Sequence, residues 1–172
     1  FDVTATDAAI DRFCQGEYVS IKEISLFGAF PDAGFPWNEF LLQHFVANYS
    51  KSYKLLHAGF TAGYAVGTIV KRTSKLKTFE EVITKALADS GIALNSDDAL
   101  QYLSDSGFLA RRSYGNIESV LVKANQQRLN KGEKNMRLMD FKMERENLVQ
   151  IVCAVLIGFL YLIIFKVFGF CK

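Results

Sequence analysis

The chain has 172 residues, 50% of them hydrophobic and 22% charged, and its formal net charge is only +2. Acidic and basic stretches alternate along it, which argues against intrinsic disorder. Three cysteines, an odd number, argue against a disulfide framework. Residues 1–147, which precede an apolar C-terminus, suffice for one compact domain or two very small ones.

The N-terminal part predicts short helices separated by turns. Thr6 suits the N-cap of a first helix that ends at Gly16, and Tyr18 and Val19 form a brief extended stretch. Ser20 suits the N-cap of a second helix. A connector with the only two prolines follows.

A third helix and a hairpin come next. The apolar residues of Trp37–Ser50 follow a helical period, and Pro36 suits the first turn of that helix. Two β-prone runs, Tyr53–Phe60 and Ala65–Val70, are separated by a short turn segment, which predicts a hairpin.

The order helix, short strand, helix, turn, helix, strand, strand resembles the winged helix-turn-helix family over about residues 5–72. The resemblance rests on the order of elements. It implies that Trp37–Ser50 is a recognition helix and that the hairpin from His57 to Gly67 is a wing. The predicted fold class is therefore mainly α with a small β-hairpin, an α+β, winged-helix-like arrangement, and residues 1–77 form the predicted domain.

The rest of the chain predicts helices. Residues 78–115 read as a small helical appendix in which Thr78 caps the first helix. Residues 116–147 read as juxtamembrane helices with a weak point at residues 130–132. All three methionines, Met136, Met139 and Met143, share one face of the last helix. Because methionine adapts to varied surfaces, this stripe predicts a partner-binding face or packing on the chain's own domain.

Residues 148–170 are interrupted only by Gln150 and Lys166. At ~1.5 Å rise per residue they cover roughly 35 Å, enough for a ~30 Å hydrocarbon core. We therefore expect one C-terminal transmembrane helix in the lipid bilayer, with Ala154 and Gly158 as a helix-packing pair. The basic residues before it predict a tail-anchored, single-pass protein with a cytosolic N-terminal domain and its C-terminus across the membrane.

Residue types that carry catalysis are sparse. His44 and His57, the only histidines, lack a second ligand at metal-binding spacing, and no CxxC, phosphate-loop, GxSxG or HExxH motif occurs. We expect a protein that is not an enzyme, with no cofactor, no metal and no evident small-molecule substrate.

The sequence favours a membrane-anchored, non-catalytic adaptor or assembly subunit that binds other protein subunits. The candidate partner-binding residues are Asn38, Gln43 and His44 on the third helix, together with the three methionines. A first alternative is a membrane-tethered DNA-binding regulator whose cations contact phosphates. These cations are Lys51, Lys54, Lys71, Arg72, Lys75 and Lys77. A second alternative is an oligomerising or pore-forming membrane effector.

Overall fold

The computed structural model describes residues 1–60, 63, 65–139 and 142. Its contacts divide the chain into two compact units, Phe1–Arg128 and Leu129–Lys172. In chain order, the elements are α1 (Val3–Asp11), β1 (Tyr18–Ser20), two 3₁₀ turns (Ile21–Glu23 and Phe27–Ala29), α2 (Glu39–Asn48), β2 (Tyr53–Phe60), β3 (Ala65–Lys71), α3 (Phe79–Ser90) and α4 (Ser96–Asp105). The helical residues 117–139 form α5, and its residues from 129 onward belong to the second unit.

The predicted hairpin and the capped helix after it are confirmed. β2 pairs antiparallel with β3 from Tyr53↔Lys71 to Phe60↔Ala65. Thr78 caps α3 in a capping box, in which its hydroxyl accepts from the Glu81 amide and the Glu81 carboxylate accepts from the Thr78 amide. These features depend on residues a few positions apart, which is why sequence spacing predicts them.

The helix predicted after Ser20 does not form. That segment contains two 3₁₀ turns, and the Ser20 hydroxyl makes no helix cap but donates to the Ser106 carbonyl oxygen at 2.5 Å. Ser20 instead ends β1, which pairs antiparallel with β3. The β structure is therefore a three-stranded antiparallel sheet of order β1-β3-β2, larger than the predicted hairpin.

Both faces of the sheet are covered. Val19 and Ile69 belong to a core built with α1 and α2. Val70 belongs to a second core built with α3, α4 and the first turns of α5, and Tyr18 packs against it. Neighbouring strand residues point to opposite faces, so residues 65–70 of β3 are buried without interruption.

A bulge in β2 precedes His57, whose ring contacts α3. The register shifts between Leu55 and His57, and the His57 ring stacks on Phe79 at the start of α3 with 4.3 Å between ring centroids. Gly67 pairs with Ala58 just beyond the bulge, and a Cβ at this position would come within 2.5 Å of the His57 carbonyl oxygen. This close approach of the two strands requires glycine at position 67.

The predicted fold class is wrong in its transmembrane element. No helix in the part of the chain that the structure describes is long and apolar enough to cross a membrane. The longest of them, α5, carries charged side chains throughout, which are costly in hydrocarbon; they are Glu118, Lys123, Arg128, Lys131, Glu133, Lys134 and Arg137.

The predicted single-pass location with a cytosolic N-terminal domain is contradicted by the same finding. Residues 148–170, from which that location was predicted, lie outside the described residues, and so do Ala154 and Gly158. The described residues form an α+β fold with five helices and one three-stranded sheet.

Candidate interaction surfaces

Helix α2 lies on the first core and presents its other side to solvent. Three residues of α2 face that core and are buried, namely Leu42, Phe45 and Val46. Asn38 caps the helix, because its side-chain oxygen accepts from the Leu41 amide at 2.9 Å. The side chain of Asn38, a predicted partner-binding residue, therefore caps the first turn of α2.

Gln43 joins α2 to the hairpin. Its amide nitrogen Nε2 donates to the Val66 carbonyl oxygen at 2.6 Å and to the Gly59 carbonyl oxygen at 3.1 Å. Both carbonyls belong to the strands near the hairpin turn. The side chain of this predicted partner-binding residue thus points to the sheet, and its two amide hydrogens have partners.

His44 is exposed on the outer face of α2. Its ring lies 3.3 Å from the Asn48 side-chain nitrogen and makes an edge contact with Tyr49, with 5.6 Å between ring centroids. Phe40, one turn earlier on the same face, is 47% exposed. No lysine or arginine lies between Trp37 and Ser50, so this face carries an aromatic ring and an imidazole without a cationic side chain.

Aromatic rings surround the ends of α2. Phe1 contacts Trp37 and Tyr49, with ring centroids 5.6 Å and 5.0 Å away, and the Trp37 indole N–H donates to the Pro31 carbonyl oxygen at 2.6 Å. Other large apolar side chains nearby in sequence are exposed, namely Leu26, Phe35 and the strand residue Phe60. Sequence periodicity missed these residues because they lie in turns and at a strand end.

The methionine stripe is described in part. Met136 and Met139 are 63% and 72% exposed on α5, within the second unit. Met143 lies outside the described residues. The described part of the stripe therefore presents two flexible apolar side chains to solvent.

The six predicted phosphate-contacting cations come from two chain segments that meet at one end of the sheet. Lys51 and Lys54 flank the start of β2, and Lys71 ends β3 opposite Tyr53. The Arg72 amide donates to the Ser52 carbonyl oxygen at 2.9 Å, and the Lys54 ammonium donates to the Leu76 carbonyl oxygen at 2.8 Å. The structure thus brings residues 51–54 next to residues 71–77.

This sheet end lies away from the predicted wing tip. The hairpin turn follows the Phe60↔Ala65 pair, whereas the cations gather at the Tyr53↔Lys71 pair. At about 3.3 Å per residue, the length of β2 separates the two ends by roughly 23 Å. The six cations and the tip of the hairpin therefore do not form one surface.

Neighbouring groups engage the ammonium groups of Lys71 and Lys77. Lys71 lies 2.9 Å from the Asp11 carboxylate, which also accepts from the Tyr53 hydroxyl at 2.7 Å. The hydrogen bond from Lys71, and then that from Tyr53, lower the pKa of Asp11, while the bond to Asp11 raises the pKa of Lys71. The Lys77 ammonium donates to the Ser74 carbonyl oxygen at 3.4 Å.

A buried carboxylate beneath this end was not predicted. Asp7 of α1 accepts from the Ser50 hydroxyl at 2.6 Å and from the Ser52 amide at 2.9 Å, and the Lys51 amide also donates to it. Asp7 shares its helix face with Ile10, and both are buried. An acidic residue within an apolar face is the signal that could have identified it.

The remaining titratable residues do not gather into a recognisable metal centre. Within the residues that the structure describes, no group of three histidine, cysteine, aspartate or glutamate side chains could hold a metal ion. Burial lowers the pKa of His57 in its stack on Phe79. Burial also raises the pKa of the Cys14 thiol to about 11, which keeps it protonated at neutral pH.

Comparisons with known proteins give no relative for this chain. No protein-family model, no curated protein and no solved structure matches it.

Proposed function

We propose that the chain is a non-catalytic interaction subunit whose winged-helix-like part, residues 1–77, binds another protein through the outer face of α2. Helices α1 and α2, the β2–β3 hairpin and the pairing of β1 with β3 support the winged-helix-like assignment, in which two 3₁₀ turns stand in place of the second helix. The single observation that carries the proposed activity is the outer face of α2, which exposes Phe40 and His44 and has no cation.

Protein interfaces are rich in aromatic side chains and poor in lysine at their centres. Exposed Phe40 fits that pattern, and the exposed aromatic residues at the ends of α2 extend it. A helix that reads DNA instead needs arginine, lysine or free amide groups directed at base edges. The amides of α2 bond within the chain, because Gln43 donates to the hairpin and Asn48 donates to the His44 carbonyl oxygen at 2.8 Å.

Site-specific photo-crosslinking tests the proposal. A photoreactive amino acid placed at position 40 or 44 should give discrete protein adducts in cells that make the chain. The matched control is position 122, because Val122 is also a highly exposed apolar residue, on α5. Adducts specific to positions 40 and 44 would support the proposal. Equal adducts at all three positions, or adducts to nucleic acid at positions 40 and 44, would contradict it.

A truncation of the same face provides the second measurement. The change Phe40→Ala should remove the protein adducts formed from position 44 and leave the urea midpoint of unfolding close to that of the unmodified chain, since Phe40 is already 47% exposed. Loss of adducts together with a large loss of stability would instead indicate that the helix itself had been disturbed.

A further inference from the structure

The basic end of the sheet is a surface distinct from the outer face of α2. Residues 50–54 and 71–77 contain six cations and no acidic residue. Among the described residues, Lys51 and Lys75 have side chains that contact no carboxylate, and the Arg72 guanidinium donates only to the Ser50 carbonyl oxygen, at 3.2 Å. These three side chains are exposed, so their charges are available to a ligand.

The acidic groups near this surface already have partners. Asp7 is buried and accepts bonds from residues 50–52. Asp11 pairs with Lys71, and Glu81 accepts from the amides of Lys77 and Thr78. Glu17 accepts from the Ser74 hydroxyl and lies 3.8 Å from Lys85. Lys51, Arg72 and Lys75 therefore remain as an uncompensated positive group.

The backbone that carries these cations is held in place. The buried Ser74 hydroxyl donates to Glu17 at 3.1 Å and accepts from the Leu76 amide at 3.0 Å. The Ser74 amide also donates to the Lys71 carbonyl oxygen at 2.9 Å. A fixed loop loses less conformational entropy when it binds, so its charges are pre-organised.

From this geometry we infer that the basic end of the sheet binds the phosphate backbone of duplex nucleic acid without reading base sequence. Its exposed side chains are lysine, arginine, serine and threonine, the types that contact phosphates. None of the exposed large apolar residues belongs to residues 50–54 or 71–77, so the surface lacks the aromatic residues of protein interfaces. The same lack leaves no platform for the stacking of single-stranded bases.

Salt-dependent binding of a 30-base-pair duplex to the full chain tests this inference. With about four phosphate contacts, made by Lys51, Arg72, Lys75 and the exposed Lys77, the slope of log affinity against log salt should be about −3.6, so the affinity should fall by about 100-fold between 50 and 200 mM salt. Two duplexes of unrelated sequence should bind equally well. A flat salt dependence, or a strong preference for one sequence, would overturn the inference.

A charge-matched pair of variants locates the surface. The triple change Lys51→Ala, Arg72→Ala and Lys75→Ala should bring the slope close to −1, since each lost phosphate contact removes about 0.9. The control changes Arg111→Ala, Arg112→Ala and Lys134→Ala remove three exposed cations elsewhere and should leave the slope near −3.6. Equal losses in both variants would show that only net charge matters and would overturn the inference.

Competition separates nucleic acid from other polyanions. Polyglutamate of equal charge should displace the duplex at least 10-fold less effectively than unlabelled duplex does. Equal displacement would mean that the surface accepts any acidic chain, which would also overturn the inference. Circular dichroism of each variant establishes that a loss of binding is not a loss of folding.

Discussion

Gln43 and Asp7 show how a single polar residue acquires its role from distant partners. Gln43 appears in the sequence as part of a polar helix face, yet its amide bonds two strand carbonyls at 2.6 and 3.1 Å. Asp7 directly follows the predicted N-cap Thr6 in the sequence, yet it is buried and accepts from residues more than 40 positions away. Buried polar groups require partners, and only the fold supplies these.

His57 should make stability depend on pH. Its pKa is lowered from 6.5 by burial beside Phe79, so the unfolded chain binds the proton more readily than the folded chain does. The contribution of neutral His57 to the free energy of unfolding should therefore be fully present above about pH 6.5. It should fall as the pH drops below that value toward the folded-state pKa. Urea unfolding at pH 7.5 and pH 5.5 measures this change.

The variant His57→Phe keeps a ring on Phe79 and removes the titration. We expect its urea midpoint to fall less between pH 7.5 and pH 5.5 than that of the unmodified chain. Because His44 is present in both proteins, any contribution from it cancels. An identical fall in both proteins would assign the pH dependence to other groups.

At the scale of elements, the helix ends show which contacts are local. The capping box at the start of α3 involves residues three positions apart and is predictable from spacing. The C-terminal end of α3 is bonded by Arg128, whose guanidinium donates to the carbonyl oxygens of Leu87 at 2.6 Å and Ile92 at 2.8 Å, and to that of Ala88. In the sequence, Arg128 was one of the basic residues preceding the apolar C-terminus, and its partners lie 36 to 41 positions away.

Arg128→Met should destabilise the first unit by about 1–2 kcal/mol, because it leaves carbonyls at the end of α3 without their charged donor. Methionine retains the apolar stem of the side chain, so packing is largely preserved. The matched control is Lys123→Met, which removes an exposed ammonium 2.5 Å from the Glu80 carboxylate and should have a much smaller effect. Urea midpoints measure both changes, and equal losses would argue against the capping role.

At the scale of the whole molecule, β3 connects the two cores. Ile69 faces the core of α1 and α2, whereas Val70 faces the core of α3, α4 and α5. Residues 1–77, the predicted domain, contain the whole sheet but lack every helix that covers Val70. Hydrophobic burial on the second face therefore depends on residues after 77.

The fragment 1–77 should consequently fold poorly compared with the fragment 1–128. We expect cooperative urea unfolding for residues 1–128, and a broad transition with binding of a hydrophobic dye for residues 1–77, because Val70, Tyr18 and Leu56 would lose their cover. A cooperative transition at the same midpoint in both fragments would show that the second core adds no stability to the sheet.

The sequence by itself determined the features that depend on neighbours along the chain. These are the β2–β3 hairpin, the Thr78 cap of α3, the apolar side of α2 and the lack of cations on its outer side. Periodicity and caps involve residues a few positions apart, so their physics can be read from spacing.

Only the tertiary structure decided which polar residues of α2 remain free, which cations meet at the end of the sheet, and that β1 and three later helices complete the sheet. Each of these results depends on hydrogen bonds and burial between residues tens of positions apart, such as Asp7 with Ser50 or Ser20 with Ser106. Such pairs are fixed by how the elements pack, because a buried polar group takes whichever partner the packing brings to it.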